Sequence, residues 1–303
     1  MKNLLPLMQR EWLQHRFAWA MLVLVPVALA VLGLGIGTIQ LDDEMQAMPG
    51  PQLALMLGAI SMSITVVVLF LLLSVTSLFI ALGSPRRDHG DRSIEFWLSL
   101  PSGHGESLAA PMLVHLLLVP VAALALGLLA ALPVSLVVVG RVEGLGAWFN
   151  LPWPALLAGV TTLVARVAAG VPLAVAWMLP LLLAAMLATA LFRRWGLPLL
   201  AVALVVLAWM LERVFGQPLL ADTLAHAGLM AARSLAGAGA EAVHIGADVS
   251  PETMLGMLPR VALKDYGAAL AQLMQPLFAG TLLVSAGLFG ALVVWRRRGA
   301  SAA

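Results

Sequence analysis

Long apolar stretches without charged residues are the feature that most constrains this chain. Residues 17–39 form the first of them, and about 20 apolar residues in a helix cross the ~30 Å hydrocarbon core of a bilayer. Five further stretches cover residues 53–82, 111–139, 169–192, 197–215 and 276–295. Backbone in lipid must satisfy its hydrogen bonds within its own segment, and the stretches lack the alternation of barrel strands. The sequence predicts an all-α integral membrane protein with six transmembrane helices in a single domain, 1–303.

The composition supports this fold class. Hydrophobic residues make up 62% of the chain and charged residues 11%, whereas about a quarter of the residues in soluble domains are charged. A net charge of +2 carried mainly by arginine is interpreted through its position relative to the lipid bilayer, and nucleic-acid binding is not expected. The absence of cysteine excludes disulfides and thiolate metal sites.

The basic residues predict the orientation, because Arg and Lys concentrate on the cytoplasmic side of a membrane protein. With a cytoplasmic N-terminus, the inner segments hold Lys2, Arg10, Arg16, Arg86, Arg87, Arg92, Arg193, Arg194, Arg296, Arg297 and Arg298. The outer segments hold Arg141, Arg166, Arg213, Arg233, Arg260 and Lys264 over a longer length of chain. We therefore expect both termini in the cytoplasm.

Two outer segments need a separate interpretation. Residues 151–165 are apolar but end at Arg166; a crossing there would reverse the orientation of everything that follows, so we expect a membrane-surface or re-entrant segment. Residues 216–275 are too polar to span. We expect short helices in this external segment, one of them starting at Pro251 behind an N-cap at Ser250.

The sequence lacks the residue patterns that ATPases, zinc peptidases and ion-coupled transporters require. Neither Lys2 nor Lys264 follows a glycine-rich phosphate loop, so the chain is not expected to be an ATPase or another enzyme. His15, His89, His104, His115, His226 and His244 show no zinc-peptidase spacing. We expect no catalytic residue and no metal site, and we expect each histidine to be an ordinary surface or helix residue. The spans are also nearly free of ionisable residues, which argues against an ion-coupled transporter.

The N-terminal segment 1–16 predicts a helix along the inner leaflet. Leu4, Leu5, Met8 and Trp12 form one apolar face, with basic residues elsewhere. The alternative is a basic flank to the first span.

The loop 83–110 contains a cluster of large apolar side chains between charged ends. The cluster consists of Ile94, Phe96, Trp97, Leu98 and Leu100. Aromatic residues beside arginine are typical of the centre of a protein interface. Alternatively, the cluster dips into the inner leaflet or packs beneath the bundle.

This loop carries a resemblance to a known family. Its motif is Asp91, Arg92, Ser93, Ile94, Glu95, Phe96, Trp97, Leu98, Ser99, Leu100, Pro101 and Ser102, and it resembles the motif after the second span of permease subunits of type-2 ABC exporters. Arg10, Glu11 and Trp12 before the first span, Pro180 within the fourth, and Trp295 before the final arginines are weaker matches. Many relatives have a lysine soon after the motif, where this chain has Ser107 and Leu108.

The resemblance implies an elbow helix that includes Arg10, Glu11 and Trp12, and a coupling helix from Arg92 to Pro101. It implies two permease chains, as a homodimer or heterodimer, with two cytosolic ABC ATPase subunits in a bacterial cytoplasmic membrane. ATP and Mg²⁺ would bind the ATPase, and this chain would need no cofactor. Two alternatives remain: a non-transporting module that passes force to an external partner, and an intramembrane hydrolase. The hydrolase is disfavoured because no nucleophile and base are paired.

Overall fold

The structure is a computed structural model that describes residues 4–90, 103–239 and 251–301, and the side chains of residues 4–86, 103–239 and 253–297. All regular structure in these residues is helical. The helices are α1 Leu4–Ile36, α2 Asp43–Gln46, α3 Gly50–Gly90, α4 His104–Leu113, α5 Val119–Val142, α6 Leu145–Phe149, α7 Trp153–Phe192, α8 Gly196–Phe215, α9 Leu219–Leu235, α10 Pro251–Gln272 and α11 Pro276–Ser301. A π-helical turn, Val114–Leu118, joins α4 to α5.

Within the described residues, five helical stretches are long and apolar enough to cross a membrane. They are Leu4–Ile36, Gly50–Arg86, His104–Val142, Trp153–Phe215 and Pro276–Arg297. The chain is therefore an all-α protein with several membrane-span candidates, as the sequence predicts. Helix α3 has 41 residues and α7 has 40. At ~1.5 Å per residue each is ~60 Å long, about twice the hydrocarbon thickness, so both extend well beyond it.

One end of the bundle, which we call the arginine-rich end, brings together parts of four long helices. Its core contains Leu82 of α3, Leu108 of α4, Met186 of α7 and Leu292 of α11. The Thr189 hydroxyl of α7 also donates to the Leu82 carbonyl at 2.6 Å. Arg86, Arg193, Arg194, Arg296 and Arg297 are on the turns and helix ends next to this core.

The opposite end is built from the other ends of α3 and α7, together with α5 and α1. Leu53 of α3, Val139 of α5 and Leu156 of α7 share a second apolar core, against which α1 packs Leu34. Arg141 of α5 donates to the Gly35 carbonyl and, at 3.1 Å, to the Gly37 carbonyl. These bonds satisfy carbonyls at the end of α1 that have no partner within the helix.

The chain reverses direction between α7 and α8. A 3₁₀ turn, Arg193–Trp195, joins the two helices, and Leu200 of α8 packs back onto the core at the arginine-rich end.

Gly216 ends α8 with φ of 68°, and its N–H donates to the Glu212 carbonyl at 2.8 Å. A left-handed residue in this position favours glycine, which has no Cβ to clash.

Helices α9 and α10 pack along α7 instead of crossing separately. His226 of α9 is beside Trp177, with ring centroids 6.0 Å apart, and Gly170 lies against the Ser234 carbonyl near the end of α9. Leu255 near the start of α10 contacts Gly159 of α7. Helix α9 runs antiparallel to α7, whereas α10 runs parallel to it. The two helices are therefore antiparallel to each other. Helix α10 begins at Pro251, as the sequence predicts for this segment.

Two segment boundaries differ from the sequence prediction. The expected elbow 1–16 is not a separate helix in the described residues, because α1 continues unbroken from Leu4 to Ile36. Its sequence contains no glycine or proline between Pro6 and Pro26 that would end a helix there. Residues 153–165 likewise belong to α7, so they form neither a separate surface helix nor a second crossing.

Candidate functional site

Both ends of the predicted coupling loop are fixed at the arginine-rich end. Helix α3 ends at Gly90 and α4 begins at His104, and both contribute to the core that contains Leu108 and Met186. The predicted coupling residues, from Arg92 to Pro101, lie outside the described residues. What the structure describes is therefore the attachment of this loop: it connects two helices that continue through the bundle.

A buried polar cluster joins α1 to the start of the third long helical stretch. Glu11 and His15 come from α1, and His115 comes from the π turn. The exposed fraction is 2% for Glu11 and 0% for His115, whereas His15 is half-buried. His115 Nε2 lies 3.5 Å from Glu11 Oε2. One nitrogen from each histidine and one oxygen of Glu11 all lie within 4.8 Å of one another.

The π turn determines where His115 points. A π turn inserts an extra residue into a helix and is frequently found at functional sites. Here the Ser77 hydroxyl of α3 donates to the His115 carbonyl, which fixes the turn from the side opposite α1. Val114 and Leu116, on either side of His115, are also buried. The imidazole is thus held by backbone packing on both sides.

Aromatic and aliphatic side chains enclose the cluster. The Trp19 ring is 6.1 Å from His15 and 6.0 Å from His115 between centroids, and Trp19 packs with Leu73 and Val114 in an apolar core. In such partly apolar surroundings the interaction between Glu11 and His115 is screened less than it would be in water.

A second buried ionic group lies in the N-terminal half of α7. Arg166 Nη2 is 2.7 Å from Asp265 Oδ2 of α10, and both residues are at most 8% exposed. Arg166 Nη1 donates to the Ser234 carbonyl at 2.7 Å. Asp265 Oδ1 accepts a hydrogen bond from the Gly239 N–H at 2.6 Å. One ion pair therefore ties α7, α9, α10 and the chain after α9 together.

Apolar cavities lie between the long helices. One of about 330 Å³ is lined by α1, α3 and α5, including Pro26, Ile64 and Val134. Another of about 490 Å³ is lined by α4, α7 and α11, including Met112 and Phe289. Their linings are almost entirely hydrocarbon, so they suit acyl chains or other apolar molecules better than charged ones.

The three predicted elbow residues have different environments. Glu11 is buried against His115, Trp12 packs against the core around Trp19, and Arg10 is half-buried. Leu5, on the apolar face that the sequence predicts along the inner leaflet, is 68% exposed. The side of this segment that is buried within the protein carries Leu7 and Glu11.

The structure brings together two histidines that the sequence prediction treated separately. His15 and His115 were expected to be ordinary surface or helix residues, but the fold places both beside Glu11. Half of this signal was present in the sequence, because Glu11 and His15 are four residues apart and therefore share one helix face. The contribution of His115 depends on the tertiary packing of α1 against the π turn. Glu212 and Arg213 are exposed at the end of α8.

Comparisons of the chain with known protein families, with curated proteins and with solved structures found no match.

Proposed function

We propose that this chain is the membrane-spanning permease subunit of an ATP-driven exporter of the type-2 ABC class. The supporting observation is the attachment of the loop 91–102. Its two flanking helices, α3 and α4, pack into one core with α7 and α11 at the arginine-rich end. A partner that moves this loop therefore acts on long helices that reach the opposite end of the protein.

The motif residues in the loop take the role of a coupling helix. Phe96 and Trp97 insert into a groove of a cytosolic ABC ATPase, and Arg92 and Glu95 add polar contacts at its edge. Closure of the ATPase dimer on ATP then displaces the loop, and α3 and α4 tilt with it. The permease itself performs no covalent chemistry.

The motor belongs to a separate subunit. The sequence has no glycine-rich phosphate loop, so ATP and its Mg²⁺ bind the partner ATPase. This assignment is tested with the purified chain in detergent. Homogeneous material should neither retain nor hydrolyse ATP, and nucleotide turnover free of any ATPase subunit would contradict it.

The arginine distribution supports a cytoplasmic position for the arginine-rich end. The N-terminal part of α1, the α3–α4 loop, the α7–α8 turn and the end of α11 all belong to this end. In the proposed topology the stretch Trp153–Phe215 crosses the membrane twice, once with α7 and once with α8, which gives six spans. Both termini are then cytoplasmic, in a bacterial cytoplasmic membrane.

A second permease chain completes the pathway, as a homodimer or heterodimer. Helix α8 packs on α7 along one side and exposes Val202, Val205, Trp209 and Val214, each at least 58% exposed. An apolar face of this extent must contact lipid or another apolar surface. The apolar cavities favour a hydrophobic cargo.

The decisive experiment is capture of the partner. The tagged chain is purified in mild detergent from native membranes, after brief crosslinking, and the bound proteins are identified. An ABC ATPase in a near-equal ratio to the permease is the expected result. The control is a version of the chain that lacks residues 91–102 and is expressed to the same level in the membrane. Recovery of the intact chain without any ATPase would contradict the proposal.

A non-transporting module is the second candidate, and the ion pair of Arg166 with Asp265 favours it. This pair fixes α9 and α10 to α7, which suits a device that passes force to an external partner. Reconstitution into vesicles with the ATPase separates the two. Movement of an apolar dye driven by ATP supports transport, whereas ATP turnover without cargo movement supports the module.

A further inference from the structure

The cluster of Glu11, His15 and His115 has the composition of a metal site. Carboxylate oxygen and imidazole nitrogen are the ligands of many three-residue zinc sites, in which water occupies a fourth position. The chain has no cysteine, so ligands of this kind are the ones it can offer to a transition metal. Mg²⁺ and Ca²⁺ prefer sets of oxygen ligands and fit two imidazoles poorly.

The ligand atoms are already close to coordinating positions. They lie within 4.8 Å of one another, whereas ligands on a tetrahedral zinc with bonds of ~2.1 Å are about 3.4 Å apart. Coordination of one ion therefore requires side-chain rotations that bring the three ligand atoms closer together. The π turn that carries His115 is itself held in place by the hydrogen bond from the Ser77 hydroxyl to the His115 carbonyl.

The burial of His115 gives a second, independent indication of a metal site. Among the described residues, neither ring nitrogen of His115 has a hydrogen-bond partner, although the side chain is fully buried. Buried polar atoms normally have a partner, because removing them from water without one costs free energy. A metal ion bound at Nε2, between His115 and Glu11, accounts for this nitrogen and for the carboxylate 3.5 Å away.

We propose that Glu11, His15 and His115 bind one divalent transition-metal ion, for which Zn²⁺ has the best-matched chemistry. The ion connects α1 to the π turn between α4 and α5. His15 is half-buried and lies at the entry side, where a water molecule completes the coordination. This site is independent of the proposed transport function, since it uses no residue of the loop 91–102.

The test measures metal binding directly on the full chain in detergent. Chelator-treated protein is titrated with Co²⁺, whose visible d–d absorption reports tetrahedral coordination, and Zn²⁺ is then added to displace it. Equilibrium dialysis with elemental analysis gives the stoichiometry, which should be close to one ion per chain. Zn²⁺ should also raise the midpoint temperature of thermal unfolding, because it binds the folded state.

Two variants and a matched control separate this site from adventitious binding. His115→Gln and His15→Gln should each weaken metal binding at least about tenfold and abolish the Co²⁺ absorption. His226→Gln is the control, because His226 is on α9 and hydrogen-bonds Gln275 at 2.9 Å, away from the cluster. It should bind the ion like the wild type.

The half-buried position of His15 keeps the test valid even if the His115 variant fails to fold. His15→Gln should elute from size exclusion like the wild type but lose the thermal shift caused by Zn²⁺. Absence of stoichiometric metal in the wild type would overturn the proposal, and the pair of Glu11 with His115 would then be an ion pair only. Unchanged binding in folded His15→Gln would overturn it as well.

Discussion

Arg166 and Asp265 lie 99 positions apart in the chain, and their side chains meet with Nε and Oδ2 2.8 Å apart. The guanidinium also donates to carbonyls of Arg233 and Ser234 in the last turn of α9, where helical carbonyls have no partner within the helix. The carboxylate accepts from the Gly237 and Gly239 N–H groups. This pair therefore organises the packing of α9 and α10 on α7.

Removing one member of this pair should strongly destabilise the protein. We expect Arg166→Met or Asp265→Asn to lower the free energy of unfolding by about 3–5 kcal/mol, because a buried charge or its polar partners lose their counterpart. The measurement is denaturation of the purified chain in mixed detergent micelles. Arg213→Ala is the control; it removes an exposed arginine at the end of α8 and should change stability by about 0.5 kcal/mol or less.

The double variant Arg166→Met, Asp265→Asn tests whether the two side chains interact. It should be less destabilised than the sum of the two single changes, because no uncompensated charge is left buried. Strict additivity of the two effects would show that the side chains act independently and would contradict the assigned interaction.

Gly170 should not tolerate a side chain. A Cβ at this position would overlap the Ser234 carbonyl and approach Arg166 Nη1 at 3.0 Å. We expect Gly170→Ala to destabilise the protein by about 1–3 kcal/mol, since α9 must move away from α7. Gly228→Ala on α9 is the matched control. A Cβ there meets no atom within 4 Å, and alanine improves helix propensity by up to about 1 kcal/mol, so the control should be neutral or slightly stabilising.

The orientation can be tested by labelling, because the chain has no cysteine of its own. In intact cells an impermeant thiol reagent should label Gln46→Cys, which is exposed on α2 at the opposite end. It should not label Arg194→Cys in the α7–α8 turn until the membrane is permeabilised. Labelling of Arg194→Cys from outside, with Gln46→Cys protected, would reverse the proposed topology.

Coupling should depend on the aromatic residues of the loop. Trp97→Ala should weaken binding of the ATPase by at least about 2 kcal/mol, roughly thirtyfold in affinity, because it removes a desolvated aromatic contact. Arg194→Ala, an exposed arginine at the same end, should cost less than about 1 kcal/mol. The readouts are the yield of the co-purified ATPase and ATP turnover, at equal membrane abundance of the permease.

Normal assembly and ATP turnover with Trp97→Ala would contradict the proposed role of the loop. If Trp97→Ala assembles and hydrolyses ATP normally with the ATPase, the aromatic cluster contacts lipid or the underside of the bundle, and the coupling helix has been assigned to the wrong residues. Phe96→Ala provides the repeat of the test at the neighbouring position.

The sequence by itself determined the all-α membrane class and the regions where helices form. A helix satisfies its backbone hydrogen bonds within one segment, so apolar runs such as 17–39 specify it without reference to the rest of the chain. The start of α10 at Pro251 was predictable for the same reason, because proline in a first turn is a local preference. Glu11 and His15 share a face by their spacing alone.

Tertiary structure decided how these helices combine. Helix α1 continues through the expected elbow boundary, and α7 continues past Arg166. His115 reaches Glu11 only when the π turn packs on α1, and Asp265 reaches Arg166 only when α10 lies along α7. Such pairs join distant parts of the chain, and no local spacing encodes them. Their partners are set by which helix faces remain to be buried once the long helices have packed together.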